Sequence, residues 1–230
     1  MAGVTMAMLN PKGGVGKTTI ALLLASEMAE RGIATALIDM DRRGNVVAWA
    51  EKAARRALVL NRITVHDGRG LETVERLQAW TTASPFTVID LPGEETTAAA
   101  AAVALSDCVV TPMKISEQDI AGARAAQRFV QRIGAETRRT IPQLFVVNEI
   151  TLNKERSILY RAFDELATSF SMRIAATRIR EKDRLNRLTG TEGTLFTMRD
   201  DSEAWRSCAA LGAHLANEVL ELIQAERRAA

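Results

Sequence analysis

The stretch that decides the fold of this 230-residue chain is Lys12-Gly13-Gly14-Val15-Gly16-Lys17-Thr18-Thr19. Its glycines let the backbone curl so that several N–H groups point at one phosphate chain. In a loop of this pattern, Lys17 reaches the β- and γ-phosphates and the hydroxyl of Thr18 ligates Mg²⁺. A short apolar run, Val4 to Leu9, precedes the loop and a helical pattern follows it. A glycine-rich turn that merely looks like a phosphate loop does not account for this setting, so the sequence predicts a nucleotide site.

Two residues distinguish this loop from an ordinary phosphate loop. The usual pattern has a glycine at position 11, where this chain has Pro11. Lys12 is a second cation that an ordinary phosphate loop lacks. These departures restrict the protein families to which the loop can belong.

Short apolar runs alternate with helical patterns along the whole chain. This alternation predicts an α/β fold with a mostly parallel central sheet and helices on both faces. Hydrophobic residues make up 47% of the chain and aromatic residues only 4%, so the core must consist mainly of Ala, Val, Ile and Leu. Neither a linker nor a repeat interrupts the pattern, which predicts a single domain over residues 1–230. The predicted strands are 4–9, 33–38, 63–66, 86–89, 107–110, 144–147 and 172–175, and the predicted helices are 18–31, 45–57, 70–80, 97–105, 116–133, 155–170 and 201–227.

Acidic residues follow two of the predicted strands. Asp39 and Asp41 come after the second strand, and two carboxylates at this spacing can face a metal–phosphate centre. The same pattern also fits an ordinary turn before a helix that Asn45 caps. Asp90 ends the apolar strand of Val88-Ile89-Asp90-Leu91-Pro92-Gly93 and matches a Walker B element, whose carboxylate holds Mg²⁺. Because ligands bind outside the carboxyl ends of parallel strands, we expect these acids to lie beside the phosphate loop.

These three segments resemble the ParA/MinD family of deviant-Walker ATPases, and they are most similar to the small plasmid-type ParA proteins. The resemblance implies the P-loop NTPase fold, ATP as substrate, Mg²⁺ as cofactor and a homodimer that forms on ATP. It implies that Lys12 reaches across that dimer to the phosphates of the partner's ATP, and that Asp41 positions the hydrolytic water. The remaining roles that it implies are phosphate binding in cis by Lys17, magnesium binding by Thr18 with support from Asp39 and Asp90, α-phosphate contact by Thr19 and adenine contact by Asn148.

Two short segments depart from the family pattern. Relatives often have Pro-Gln after the second aspartate, whereas this chain has Arg42-Arg43. Relatives often have two prolines after the Walker B aspartate, whereas this chain has Leu91-Pro92-Gly93. These changes leave the expected ATP site intact, and they bear on which partner and subfamily are involved.

The resemblance also implies a function, which is segregation of a plasmid or chromosome. An ATP-bound dimer would bind non-specific DNA, and slow hydrolysis stimulated by a ParB-like adaptor would release it. We therefore expect a cytoplasmic, nucleoid-associated protein. With a net charge of +2, DNA affinity must come from a local patch. By position the candidates are Arg178, Arg180 and Arg199, although interleaved acids also fit a solvated surface.

Three other functions remain open. A MinD-like role at a membrane needs a basic amphipathic C-terminal helix, but Glu218, Glu221 and Glu226 would be repelled by anionic lipid, so we expect no membrane partner. A second possibility is a related ATPase that positions DNA-transfer machinery or other cargo. A third is a scaffold with a vestigial loop, against which the intact lysines and aspartates argue.

Cys108 lies in an apolar run and is expected to be a buried hydrophobe in a reduced compartment.

Overall fold

The computed structural model describes residues 3–58, 60, 62–70, 74–149, 158–180, 185, 193–194, 197, 199 and 202–229. The strands within these ranges are β1 Val4–Met8, β2 Thr35–Asp39, β3 Ile63–Asp67, β4 Phe86–Asp90, β5 Cys108–Met113 and β6 Gln143–Val147. These six strands are parallel and form one sheet in the order β3-β2-β4-β1-β5-β6. The predicted α/β class with a parallel sheet is confirmed.

Helices cover both faces of this sheet. Strand side chains alternate between the faces, so Met6 and Met8 belong to one apolar cluster and Ala7 to the other. The helices in the described ranges are α1 Lys17–Glu30, α2 Asn45–Arg55, α3 Val74–Ala83, α4 Thr97–Leu105, α5 Glu117–Thr137, α6 Ile158–Ser169 and α7 Glu203–Ala229. The first cluster includes side chains of α1 and α7, and the second includes side chains of α3, α4 and α5.

The predicted last strand, 172–175, is wrong. Within the segment 172–175, which is fully described, a single residue, Ile174, forms an isolated β-bridge, with Phe145 of β6. The next two backbone N–H groups turn away from the sheet, because Ala176 and Thr177 donate to the carboxylate of Glu218 on α7, at 2.6 and 2.7 Å. Pairing with β6 is therefore interrupted at Ala176 and Thr177, and it resumes only where the Ile179 N–H donates to the Val147 carbonyl at 2.9 Å. The predicted helix 155–170 is described from Ile158 onwards, and its first residues lie outside the described ranges.

The closing helix α7 is packed onto the domain. Its apolar side chains Leu215, Val219, Leu222 and Ile223 are buried in the same cluster as α1. Arg31, just beyond α1, donates to Asn217 and to the Ala213 carbonyl. The apolar face that a MinD-like membrane helix would need is thus occupied by the protein itself. In the described part of the chain, no helix is both long and apolar enough to cross a membrane.

Candidate nucleotide-binding site

The phosphate loop connects the carboxyl end of β1 to the first residue of α1. Gly14 and Gly16 have φ angles of 72° and 99°, which side chains other than glycine rarely adopt. A Cβ atom on Gly16 would also lie 2.2 Å from the amide nitrogen of Asn148. The sequence therefore needs glycine here for both conformation and space. The N-terminus of α1 points its unpaired N–H groups into the curl of the loop, an arrangement that attracts phosphate.

Lys17 lies inside the loop and is almost fully buried. Its ammonium donates to the backbone carbonyl of Asn10 at 3.1 Å. Burial lowers the pKa of Lys17, while the neighbouring carboxylates of Asp90 and Asp41 act to raise it. A buried cation with so few partners is ready to accept an anion, and the polyphosphate of a nucleotide would supply one.

Asn10 has a role in the site that no sequence motif predicted. It is fully buried, and its amide nitrogen donates to the Pro112 carbonyl at 2.8 Å. Its side-chain oxygen accepts the backbone N–H of Lys12 at 2.8 Å. Asn10 therefore ties the start of the phosphate loop to β5. A polar residue directly after an apolar strand was the one sequence signal that could have identified it.

Thr18 and Asp90 meet beside Lys17. The Thr18 hydroxyl donates to Oδ2 of Asp90 at 2.6 Å. The other carboxylate oxygen, Oδ1, is buried without a hydrogen-bond partner. Burial raises the pKa of Asp90 to about 7, and the hydrogen bond from Thr18 opposes this shift. A buried carboxylate with an unsatisfied oxygen costs free energy unless a cation or proton accompanies it.

This donor set fits magnesium in the presence of a nucleotide. Among the described residues, no group of three or more His, Cys, Asp or Glu side chains could hold a metal ion without other ligands. Mg²⁺ commonly takes one or two protein ligands and completes its shell with phosphate oxygens and water. The hydroxyl of Thr18 and the unsatisfied oxygen of Asp90 provide such a partial site next to the phosphate loop.

The two acids after β2 have different surroundings. Asp39 is fully buried, and its Oδ2 accepts the backbone N–H groups of Val46 and Val47 at 2.9 and 3.0 Å, in the first turn of α2. Its Oδ1 accepts the N–H of Asp41 at 3.1 Å. Burial raises the pKa of Asp39, and these backbone donors lower it. Asp39 therefore caps α2, which differs from the metal-supporting role that the resemblance implies.

The alternative that Asn45 caps α2 is wrong, whereas the metal-supporting role of Asp39 stays a prediction. The N-cap position is Gly44, which has a left-handed backbone conformation and no side chain that could accept a hydrogen bond. The oxygen that caps the helix belongs to Asp39 instead. Asp41 is free to face the cleft because its carboxylate is only partly buried. Its Oδ1 accepts the N–H of Arg43 at 2.9 Å, which fixes its direction.

Asn148 is placed against the phosphate loop. Its amide nitrogen donates to the Val15 carbonyl at 2.8 Å, and its side chain is buried. The donor that could recognise an adenine is thus engaged with the loop backbone. Contact with adenine stays a prediction, whereas support of the loop is an observed contact.

An open cleft of about 660 Å³ lies over these residues. The cleft is lined by the loop residues Gly13, Gly14, Gly16, Lys17, Thr18 and Thr19 and by Asp41. Three basic residues, Arg42, Arg43 and Lys52, also line it. Lys52 lies two turns after Asn45 on α2, so the same helix face presents both to the cleft. In the sequence the two arginines stand out only as departures from the family pattern, and no motif marks Lys52.

Residues 6–195 match the CobQ/CobB/MinD/ParA nucleotide-binding domain family. The chain belongs to this family. Among curated proteins, the ParA protein of Rhizobium radiobacter is 25% identical over 129 residues, which are 56% of this chain and 57% of that protein. The maintenance of carboxysome distribution protein A of Gloeobacter kilaueensis is 33% identical over 117 residues, which are 50% of this chain and 51% of that protein. The chain thus spans about half the length of these two relatives.

Solved structures of ParA and MinD proteins share the fold. A plasmid partition protein of Borrelia burgdorferi, bound to AMPPNP, has a TM-score of 0.71 at 15% identity, covering 94% of this chain and 99% of that one. An ATP complex of Cyanothece McdA has a TM-score of 0.73 at 15% identity, covering 93% and 96%. MinD of Aquifex aeolicus has a TM-score of 0.65 at 17% identity, covering 94% and 97%. The doubly covered parallel sheet is therefore the ParA/MinD fold.

The three arginines expected to contact DNA, Arg178, Arg180 and Arg199, have different surroundings. Arg178 donates through Nε to the Tyr160 hydroxyl at 3.0 Å, and its Nη1 is buried. This arginine is turned into the protein, which disfavours it as a DNA contact. Arg180 is exposed, and the guanidinium of exposed Arg199 lies 5.0 Å above the ring of Trp205. Lys182, Arg184 and Arg187, part of the same basic group, lie outside the described residues.

Proposed function

We propose that this protein is a ParA-type ATPase that hydrolyses ATP with Mg²⁺ and dimerises when ATP binds. The observation that carries this proposal is the convergence of Lys17, Thr18, Asp90 and Asp41 around one cleft at the carboxyl edge of the sheet. Convergence of these groups from three strands supports a site for a metal-bound triphosphate better than a vestigial loop does.

Each group has a task that follows from its position. The loop N–H groups and Lys17 hold the phosphates. Thr18 and Asp90 hold the magnesium ion, which neutralises charge on the phosphates. Asp41, held in direction by the N–H of Arg43, orients the attacking water. Thr19 contacts the α-phosphate side, and Lys12 serves the nucleotide of a second copy.

The direct test is ATP hydrolysis by the purified chain with and without Mg²⁺. Lys17→Ala should abolish nucleotide binding, because the buried ammonium is the principal cation of the loop. Arg76→Ala, on α3, is a matched loss of one positive charge outside the cleft and should retain the wild-type rate. Equal hydrolysis by the wild type and Lys17→Ala would exclude this cleft as the ATPase site.

We infer that the physiological role is DNA partition in the cytoplasm, on the nucleoid. ATP would produce a dimer that binds non-specific DNA, and a ParB-like adaptor would stimulate hydrolysis and release. Support comes from the ParA and plasmid partition relatives and from exposed Arg180 and Arg199 on one late region of the chain. Burial of the apolar face of α7 favours DNA over a membrane.

Cargo other than DNA is a second candidate. Similarity to carboxysome distribution proteins favours it, since those relatives are named for distribution of a protein compartment. The two roles differ in what the adaptor carries. Crosslinking of the ATP-bound protein in its native cells, followed by sequencing of DNA that co-purifies with the adaptor, separates them. A unique enriched DNA site indicates partition, and its absence together with an enriched protein assembly indicates cargo positioning.

A further inference from the structure

The side chain of Lys12 is turned towards its own subunit. Its ammonium lies 2.6 Å from Oδ1 of Asp119, in the first turn of α5. Lys12 is about one-third exposed, with a side-chain value of 35%, whereas the Asp119 side chain is only 4% exposed. The ion pair therefore joins a movable cation to an anion that is fixed in the protein.

Asp119 is held independently of Lys12. Ser116 is the N-cap of α5, and its hydroxyl oxygen accepts the N–H of Asp119 at 3.1 Å. The same hydroxyl donates to Oδ2 of Asp119. The helix N-terminus favours a negative charge at this position. The carboxylate can thus remain ionised and in place when Lys12 leaves.

The backbone of Lys12 has much less freedom than its side chain. Asn10 accepts its N–H, and a Cβ on Gly122 of α5 would lie 3.6 Å from the Lys12 Cβ. A Cβ on Gly93 would lie 2.6 Å from the Pro11 carbonyl oxygen, so the loop after β4 also packs closely here. A change of partner by Lys12 therefore requires rotation of its side chain rather than movement of the loop.

We propose that Asp119 is a positioning residue, which holds the Lys12 ammonium on its own subunit until a nucleotide phosphate on a second copy replaces the carboxylate. This inference rests on the proposed function, because the second copy and its nucleotide belong to that function. In this exchange the Lys12 ammonium leaves a carboxylate of one negative charge for a triphosphate of greater negative charge. A triphosphate can therefore displace Asp119 from the ammonium, whereas water cannot. Asp119 thereby raises the ATP concentration that dimerisation requires.

The test is an ATP titration of dimerisation by light scattering. Asp119→Asn keeps the size of the side chain and removes its charge, and it should lower the ATP concentration at half-dimerisation about tenfold, which corresponds to about 1.4 kcal/mol of lost competition. Asp119→Glu, which restores a carboxylate, should return the midpoint towards the wild-type value. Glu117→Gln removes an exposed charge from the same helix turn and should leave the midpoint unchanged.

A second measurement does not depend on ATP. In the nucleotide-free protein, acetylation of Lys12 by acetic anhydride, followed by peptide mass spectrometry, should be several-fold faster in Asp119→Asn than in the wild type or Glu117→Gln. If Asp119→Asn does not fold, Asp119→Ser provides the same loss of charge.

The outcomes are distinguishable. A wild type that stays monomeric with ATP overturns the proposed function and this inference with it. A wild type that dimerises, while Asp119→Asn needs as much ATP or more, overturns the inference alone. Unchanged Lys12 acetylation also overturns it.

Discussion

At the scale of single residues, Asp90, which is buried beneath the cleft, has an unusual pKa. Its pKa is raised to about 7 by burial, so the folded protein binds a proton that the unfolded chain releases near pH 4. Stability from this group is present below about pH 4 and is lost as the pH rises towards 7. A shift of about three pH units corresponds to roughly 4 kcal/mol at most.

This shift gives a pH prediction for the nucleotide-free and metal-free protein. Asp90→Asn cannot ionise, so its free energy of unfolding should fall less between pH 5 and pH 8 than that of the wild type. Urea unfolding in EDTA at both pH values measures the difference. Asp67→Asn is the control, because Arg69 lowers the pKa of Asp67 to about 2 and this group does not titrate in that range. The same pH slope in Asp90→Asn and the wild type would contradict the burial of a titrating carboxyl group.

Residue type and spacing determined how much of the site could be predicted. The placement of Thr18 beside Asp90 at the phosphate loop could be predicted, because phosphate and magnesium chemistry fixes which residue types must appear and where. The contact of Asp39 with α2 could not, since an Asp-x-Asp pattern does not reveal which carboxylate turns towards the next helix. Asn10 and Asp119 were missed because each acts through a contact with a distant segment, Pro112 or Lys12.

At the scale of elements, α2 depends on a carboxylate outside the helix. Asp39 at the end of β2 accepts two N–H groups of the first turn of α2, and Gly44 offers no cap of its own. This contact joins a sheet strand to the helix that forms one wall of the cleft. The position of Arg43 and Lys52 over the cleft therefore relies on Asp39.

Removal of this cap has a measurable cost. Asp39→Ala should lower the free energy of unfolding by about 1–3 kcal/mol, because buried N–H donors lose their acceptor. The loss should appear without Mg²⁺ or nucleotide, as expected for a cap and unlike a metal ligand. Asn45→Ala should change stability by less than about 0.5 kcal/mol, since Asn45 does not provide the cap. If Asp39→Ala were less stable than the wild type only when Mg²⁺ and ATP are present, the result would support a metal-binding role for Asp39 instead.

The elements themselves were predictable where local pattern determines them. All six described strands arise from apolar runs recognised in the sequence, and their ends lie within a few residues of the prediction. The segment 172–175 has a strand-like composition, yet Glu218, far along the chain, takes the N–H groups that follow it. A local pattern carries no information about such a competitor.

At the scale of the whole molecule, the exposed basic side chains allow binding to DNA to be distinguished from binding to a membrane. The ATP-bound protein should bind non-specific DNA, with affinity that falls steeply as salt rises, because phosphate contacts release counterions. Arg180→Glu with Arg199→Glu should weaken this binding at least tenfold in a gel shift. Arg76→Glu with Arg228→Glu, an equal change of charge at two exposed positions on α3 and near the end of α7, is the control. Strong ATP-dependent binding to anionic liposomes, with none to DNA, would favour a MinD-like role.

The central claim concerns assembly, namely that ATP in the cleft closes a dimer. Asp41→Ala gives the most direct measurement, because it should bind ATP without hydrolysing it and accumulate the closed state. Size-exclusion chromatography with light scattering should show a monomer without nucleotide and a stable dimer with ATP and Mg²⁺. A monomer under both conditions, in a variant that demonstrably binds ATP, would contradict the account.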